Sequence, residues 1–425
     1  MNQYIAIVDP YSAGSLLAGA IRKKGVGCIA IKTGETAPAV FRRNWHASEF
    51  DDVLIDNPTV KTTLERLYGN RLTHVVAGCE SGVVLADKLS EELGLPSNGT
   101  DLSRARRDKF LMSEMVRAHG LDTADVFQSE DIQEVANWAV ARNSWPVILK
   151  PVCSVASDNI HLCESKKDVI RAGVKIIGKK NVLDLINRAA LAQGYLHGTE
   201  YIVDTVSLEG HHKVTAFWAY HRSVAKFSRI GYDTMTLLPF EGEVQESLRR
   251  YAFDVLDALG IQFGPAHTEL MWCENKPILV EIGARLTTGL NAVLSGICGS
   301  ICQLNETVDV ILAPDRFHDF SKDKLTFKKR ASNVFLVRQR PGRLVRVRRE
   351  NELRQLKTLY RLSLSVTPGE PLPAVLGTVT LVNESMDEIK EDILRIRELE
   401  QNGLFELEHN ELCAQPGSLS ADSQG

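Results

Sequence analysis

Residues 263–291, FGPAHTELMWCENKPILVEIGARLTTGLN, constrain this chain more than any other stretch. Two apolar runs, Ala266 to Trp272 and Ile278 to Ile282, flank Glu274, Asn275 and Lys276, with Pro277 following. That spacing predicts a β-hairpin. With the turn centred on Asn275, Glu269 faces Glu281, His267 faces Gly283, and Arg285 extends the same face. Opposed side chains on such a pair have Cβ atoms about 4.5–5.5 Å apart, and like charges there repel. A positive group should stand between them. A hard divalent cation fits, because Mg²⁺ is commonly held by one or two carboxylates together with substrate phosphates. A solvated strand face on which two glutamates align has the same pattern, and the hairpin alone does not separate the two readings.

The chain before the hairpin opens with strand and helix signals in alternation. Strands are expected over 4–9, Cys28–Ile31, Asp52–Ile55 and His74–Ala77, with helices over Leu16–Lys24, Thr59–Tyr68 and Gly82–Leu93. Alternation of this kind builds a parallel sheet. Its strand-end loops, Asp9–Ser15 and Gly78–Gly82, lie where an open α/β sheet offers a ligand crevice. Glu80 and Ser12 are candidates for substrate contact there, against the plainer reading of a strand-end turn with a capping serine. Gly25, Gly27 and Ala30 match the dinucleotide fingerprint GxGxxA, but a helix precedes and a strand follows, the reverse of the order the fingerprint needs.

From Asp101 the texture changes. LSRARRDKFLMSEMVRAHG reads as a basic amphipathic helix, followed by a helix around Ile132–Ala141 and the strand Val147–Pro151, VILKP. A lysine at the end of an apolar strand must point its ammonium out of the core, so Lys150 is an oriented charge. The loop Val152–Asn159 is small and polar, and its amides with the hydroxyls of Ser154 and Ser157 suit phosphate oxygens. GxxxxGK[ST] is absent, so this is not a P-loop. Residues 191–206 read as a hairpin turning at His197–Thr199, whose backbone could meet an adenine edge while Glu200 accepts from ribose hydroxyls. A further strand pair, Lys213–His221 and Val224–Ser228, leads through the loop 229–239 and the helix Val244–Leu259 into the opening hairpin. Leu290–Asn305 is expected to be helical, and 325–412 to alternate strands with charged helices.

Composition limits the partners. Charged residues make up 24%, apolar residues 44%, and the net charge is −4, a soluble globular balance that argues against non-specific nucleic-acid or anionic-membrane binding. The eight cysteines show no paired CxxC knuckles, so buried thiols in a reducing compartment are expected. With no run of about 18 apolar residues, and with MNQYIAIVDP moving straight into a strand, a cytoplasmic protein is expected.

A lysine on a strand, a small-residue loop, a segment suited to adenine, and paired strand glutamates with an arginine four residues on occur here in the order that resembles the ATP-grasp superfamily of carboxylate-amine ligases. Within it, the likeness is to L-amino-acid ligases that form dipeptides, and it covers roughly residues 4–412. The resemblance implies an α/β and α+β chain. Residues 1–108 would be an N-terminal parallel α/β domain, 109–192 a small lid with the phosphate loop, 193–315 the antiparallel catalytic subdomain, 316–414 a C-terminal α+β subdomain, and 415–425 a disordered tail. It implies ATP contacts from Lys109, Lys150, Ser154, Ser157, Gln193, Tyr195, Leu196 and Glu200. It implies Mg²⁺, with Mn²⁺ as an alternative ion, on Glu269 and Glu281, and catalysis by Arg285 with His267 beside it. The implied reaction joins a carboxylate to an amine through an acyl phosphate. Glu80, Tyr232 and Asp233 are candidates for the small-molecule acid and amine, and a homodimer is expected. Three departures from the superfamily pattern stand out: Ala156 and Asn159 where glycines are common, Gly194 where an acidic hinge residue is common, and Gly283 where many members have an asparagine on the metal. An ATP-binding regulator without turnover, a ligase for a non-amino-acid acid or amine, and a carboxylase or acid-thiol ligase are the competing readings.

Overall fold

The alternating signals of the first hundred positions resolve into a parallel sheet. In the computed structural model of the chain, β1 (Tyr4–Val8), α1 (Ala13–Arg22), β2 (Gly27–Lys32), β3 (Asp52–Ile55), α2 (Val60–Leu67), β4 (Leu72–Ala77) and α3 (Val83–Glu92) follow one another. The structure describes all residues except 1–2, 39–40, 42–44, 156, 223–230, 300, 320–325, 339–341, 371, 374 and 409–425. Strand order is β3-β2-β1-β4 with every pair parallel. The order reverses between β1 and β4, the switch point at which such sheets present ligands. There the loops after β1 and β4 meet backbone to backbone. A Cβ on Gly78 would lie 2.6 Å from Asp9 O, one on Gly14 would lie 2.7 Å from Gly78 Cα, and one on Gly82 would run into Val8 O. This close approach anchors Glu80.

The expected basic helix from Asp101 is shorter than its charge pattern suggests. Residues 101–107 form turns, and α4 (Lys109–Ala118) begins only after Asp108, whose extended backbone lets its carboxylate accept from Phe110 N and Leu111 N. An N-cap aspartate ends the non-helical stretch wherever it sits. Then come β5 (Val126–Ser129), α5 (Ile132–Ala141), β6 (Val147–Pro151), β7 (His161–Cys163), α6 (Lys166–Ile176) and β8 (Ala190–Gly194), forming an antiparallel sheet in the order β5-β8-β6-β7. Val147, Leu149, Ala190 and Ala192 bury one sheet face against Val135, Ala139, Val169 and Ala172 of α5 and α6. By strand alternation Lys150 points off the other face.

The expected hairpin over 191–206 does not form. β8 is already paired on both sides by β5 and β6, and β9 (Thr199–Leu208) belongs to a second sheet, so Tyr195–Gly198 crosses between sheets. β10 (His211–His221), β11 (Thr234–Leu238), α7 (Glu243–Ala258), β12 (Gly264–Cys273), β13 (Lys276–Gly283), α8 (Asn291–Cys298), α9 (Gln303–Leu312) and α10 (Asp315–Asp319) follow. The strand expected at Val224–Ser228 lies outside the described residues, and Thr234–Leu238, expected as loop, is strand. The helix expected over 290–305 is two helices, because Gly299 leaves helical geometry (φ −151°, ψ −142°) and α9 restarts after Cys302. β13, β12, β9 and β10 are neighbours in that order. Val203, Phe217, Ala266, Leu270 and Ile282 cover one face of these strands with Leu248, Ala252, Val255 and Leu256 of α7. The other face carries the polar residues described below.

These elements make up one compact unit, residues 1–221 with 236–330; the second comprises 222–235 with 331–425, and β11 contributes to both. In the second unit β14 (Arg330–Val337), β15 (Leu344–Val347), α11 (Glu350–Arg354), β16 (Leu359–Leu364), β17 (Val375–Asn383), α12 (Met386–Gln401) and β18 (Phe405–Leu407) surround a core of Val334, Leu336, Val379, Leu381, Ile389 and Ile396. Seven cysteines are free thiols among the described residues, and among those residues no helix is long and apolar enough to cross a membrane. Replacing Gly78 by alanine should lower stability by about 1–3 kcal/mol, the usual cost of overpacking, because the new Cβ meets backbone that cannot move aside. Thermal and urea midpoints would read it, and an unchanged midpoint would refute the close approach.

Candidate active site

Glu274 and Asn275 both adopt positive φ (48° and 63°), and Cys273 sits opposite Lys276, so the β12–β13 connection is a two-residue turn. The turn is therefore centred half a residue earlier than the sequence suggests, and Leu270 pairs with Leu279. A register shift between Glu269 and Leu270 then passes over Val280 and restores Glu269 opposite Glu281 and His267 opposite Gly283. A bulge re-aims side chains in this way. Neighbouring strands extend the same face: His267 pairs with Asp204 of β9, and Glu200 of β9 pairs with Tyr220 of β10.

The charge that opposed glutamates require is supplied by side chains. Lys109 Nζ lies 3.0 Å from Glu281 Oε2, and His267 Nε2 lies 3.3 Å from Glu269 Oε1. Burial works against ionising Glu281, yet Lys109, Lys150 and Arg285 outweigh it and bring its pKa down to about 2. Burial likewise works against a charged His267, but Asp204, 2.7 Å from Nδ1, and Glu269 raise it to about 9. Trp218 Nε1 donates to the second oxygen of Asp204 at 2.8 Å. Burial drives Lys150 down to about 8 despite the pull of Glu281. Tyr220 is raised well above the ordinary tyrosine range, first by burial and then by Glu269, Glu200, Asp204 and Glu281 around it. The positive groups expected beside the opposed glutamates thus include Lys109 and His267.

The donor set nevertheless fits a hard cation. Glu269 and Glu281 each engage one oxygen, leaving Glu269 Oε2 and Glu281 Oε1 without a protein partner among the described residues. Among those residues no group of three or more His, Cys, Asp or Glu is arranged to hold a metal, so a cation here would depend on ligands from a bound phosphate, as Mg²⁺ commonly does.

Glu80 and Arg107 complete the face. Arg107 donates to Glu80 Oε1, and Arg285 Nε donates to Glu80 Oε2 at 2.9 Å, so Glu80 is clamped between two guanidiniums and holds Arg285 in place. This explains Gly283. A Cβ there would lie 2.6 Å from Glu80 Oε2 and 3.1 Å from Arg285 Cζ, so the volume an asparagine would take is filled by the Glu80–Arg285 pair. Gly194 has a similar cause: its Cβ would lie 2.6 Å from Arg142 Nη2, on the helix-covered face with Ala190 and Ala192 rather than beside Lys150. Gln193 is the residue of this pair that shares the Lys150 face, since it pairs with Ile148. Leu196 N–H makes no hydrogen bond among the described residues, while Tyr195 N reaches Pro146 O at 3.4 Å. Ser154 is buried and Ser157 exposed on the loop after Lys150. Tyr232 and Asp233 belong to the second unit, where Asp233 Oδ1 is 2.9 Å from Arg397 Nη2 and Arg222 lies over the Tyr232 ring.

Sequence reasoning passed over Asp204, Tyr220 and Arg107. Asp204 carried a signal, as an acid inside the apolar run YIVDTV in phase with Ile202 and Glu200, two and four places before it.

Residues 143–292 match the ATP-grasp domain. The chain thus carries an ATP-grasp domain over those residues. It is 27% identical over 414 residues to dapdiamide A synthase of Enterobacter agglomerans, spanning 94% of this chain and 96% of that protein. The fold is shared with an L-amino acid ligase from Bacillus licheniformis, at TM-score 0.73 and 17% identity over 96% of this chain and 99% of that one. It is shared too with an ATP complex of carboxyaminoimidazole ribonucleotide synthase from an Aspergillus species, at TM-score 0.68 and 14% identity over 94% and 99%.

Gly283→Ala should displace the Glu80 carboxylate and destabilise the fold by about 1–3 kcal/mol, whereas Ala284→Gly next to it should not disturb the clamp. A crystal structure of Gly283→Ala with the Glu80–Arg285 contact intact would contradict this account.

Proposed function

We propose that this protein is an ATP-dependent ligase that joins a carboxylate, an amino acid, to the amine of a second amino acid, giving an amide, ADP and phosphate. The observation that carries the reading is the clamped Arg285 beside the opposed Glu269 and Glu281, with Lys109 and Lys150 on the same face. The relatives support it: the curated one is named a synthase of dapdiamide A, and one structural neighbour is titled an L-amino acid ligase. A purely binding role would leave the clamped, half-buried arginine without chemistry.

In this reading Lys109 and Lys150 hold phosphate oxygens of ATP, the loop Val152–Asn159 cradles them, Gln193, Tyr195 and Leu196 border the adenine, and Glu200 accepts from the ribose. Mg²⁺ or Mn²⁺ on Glu269 and Glu281 would neutralise the phosphates. The substrate carboxylate attacks the γ-phosphate to give an acyl phosphate, and the amine displaces phosphate. Phosphoryl transfer asks a protein mainly for positioning and charge neutralisation. Arg285, aimed by Glu80, stabilises the acyl phosphate and then the oxyanion. His267, held by Asp204, keeps Glu269 in place. We assign the lid role to 109–192, place the protein in the cytoplasm and expect a homodimer.

ADP and phosphate release across a grid of amino-acid pairs tests the reading. Turnover should require two amino acids and yield a dipeptide by mass, and Arg285→Ala and Glu281→Ala should lower it by about 10²–10³. Turnover indifferent to the amine would sink it. A pH series gives a second check. Lys150 titrates near 8 in the free enzyme, and phosphates favour its charged form, so ATP affinity should hold below that pH and fall as pH rises through it. Calorimetric affinities flat from about pH 7 to 9.5 would rule out Lys150 as a phosphate ligand.

A further inference from the structure

The loop after Lys150 lacks the glycines that would let it bend freely, yet Ser157 (φ 55°) and Asn159 (φ 51°) both adopt the left-handed conformation that glycine favours. Such a backbone persists only where its surroundings over-determine it. The surroundings are the segment 178–187. Gly178 N bonds Asn187 O at 2.8 Å, Asn187 N bonds Lys179 O at 2.9 Å and Asn181 N bonds Leu185 O at 2.8 Å, closing it on itself. At its tip Asn181, buried and fully engaged, accepts from Leu183 N and Leu185 N while its amide donates to Asn187 Oδ1 and, at 2.8 Å, to Cys153 O. The next residue grips the far end of the loop: Val182 N donates to Asp158 Oδ2 at 3.2 Å. Asp158 gathers the loop internally, accepting from Ser154 Oγ at 2.8 Å and from Asn159 Nδ2 at 3.0 Å. Lys109 Nζ adds a bond to Ser154 O at 3.0 Å.

We propose that 178–187 is a clasp that presets the phosphate loop, with Asn181 and Asp158 as positioning residues for nucleotide binding. Two consecutive residues, Asn181 and Val182, hold Cys153 and Asp158 on either side of the loop, and Asp158 holds the Ser154 hydroxyl, before any phosphate arrives. A glycine-rich loop would instead be ordered by the ligand, at an entropic cost to affinity. The inference rests on the loop being the phosphate element of the proposed function.

Asn181→Ala and Asp158→Ala test it, with Asp158→Asn as the conservative variant that keeps an acceptor for Ser154 and Val182. Amide exchange over 152–159 should speed up in both alanine variants without ligand. The Kd for ADP and the KM for ATP should rise about tenfold, the loss of one or two hydrogen bonds, with kcat at saturating ATP largely kept and Asp158→Asn close to wild type. Exchange over 152–159 unchanged in both alanine variants would overturn the clasp, and so would unaltered ADP affinity in both. Exchange needs neither nucleotide nor acceptor, so it decides the clasp whatever the substrates are. Failure of the wild type to bind ADP would overturn the phosphate reading instead.

Discussion

Compensation of buried charge on one sheet face is the constraint on which the rest of this structure depends. Glu80, Glu200, Asp204, Glu269 and Glu281 are gathered there with Arg107, Lys109, Lys150, His267 and Arg285. Neither set is stable alone in a low-dielectric cleft, since desolvating an ion is repaid only when partners are close and well aligned. The partners come from separate elements: the loop after β4, the start of α4, the end of β6, and β9, β12 and β13. Bringing them together is therefore a task for the tertiary fold, and Arg107, Lys109, His267 and Arg285 each have a carboxylate partner before any nucleotide is present.

Glycine has a steric logic around this face. Gly14, Gly78 and Gly82 let the two strand-end loops touch, which delivers Glu80; Gly283 leaves the volume that Glu80 and Arg285 fill. One carboxylate from the first sheet has thereby replaced a side chain of the second. At Gly194 the space a side chain would take is filled by Arg142 on the helix-covered face. Departures from a superfamily pattern that look like losses in a single sequence are here substitutions in space, with the lost group's volume taken by a residue distant along the chain.

Much of this was legible beforehand, and the misses have physical causes. Glu269, Glu281, His267 and Arg285 could be put on one face from strand periodicity, although the turn that supported the register was misplaced and a bulge at Val280 supplied the correction. Residues 191–206 read as a hairpin because two apolar runs flank a turn. Which strands β8 and β9 pair with is a long-range matter that local pattern does not carry. The helix expected from the charge pattern after Asp101 starts only at Lys109, because the Asp108 carboxylate caps it.

The sequence by itself determined the alternation that makes the first sheet, the outward lysine at the end of β6 and the opposed pair of glutamates, because these follow from apolar periodicity and from local turn chemistry. Only the tertiary structure decided that Lys109 and His267 meet those glutamates, that Glu80 and Arg107 brace Arg285, and that Asn181 reaches across to Cys153. Those contacts join residues far apart in the chain, and their free energy comes from desolvation and geometry that no single stretch contains.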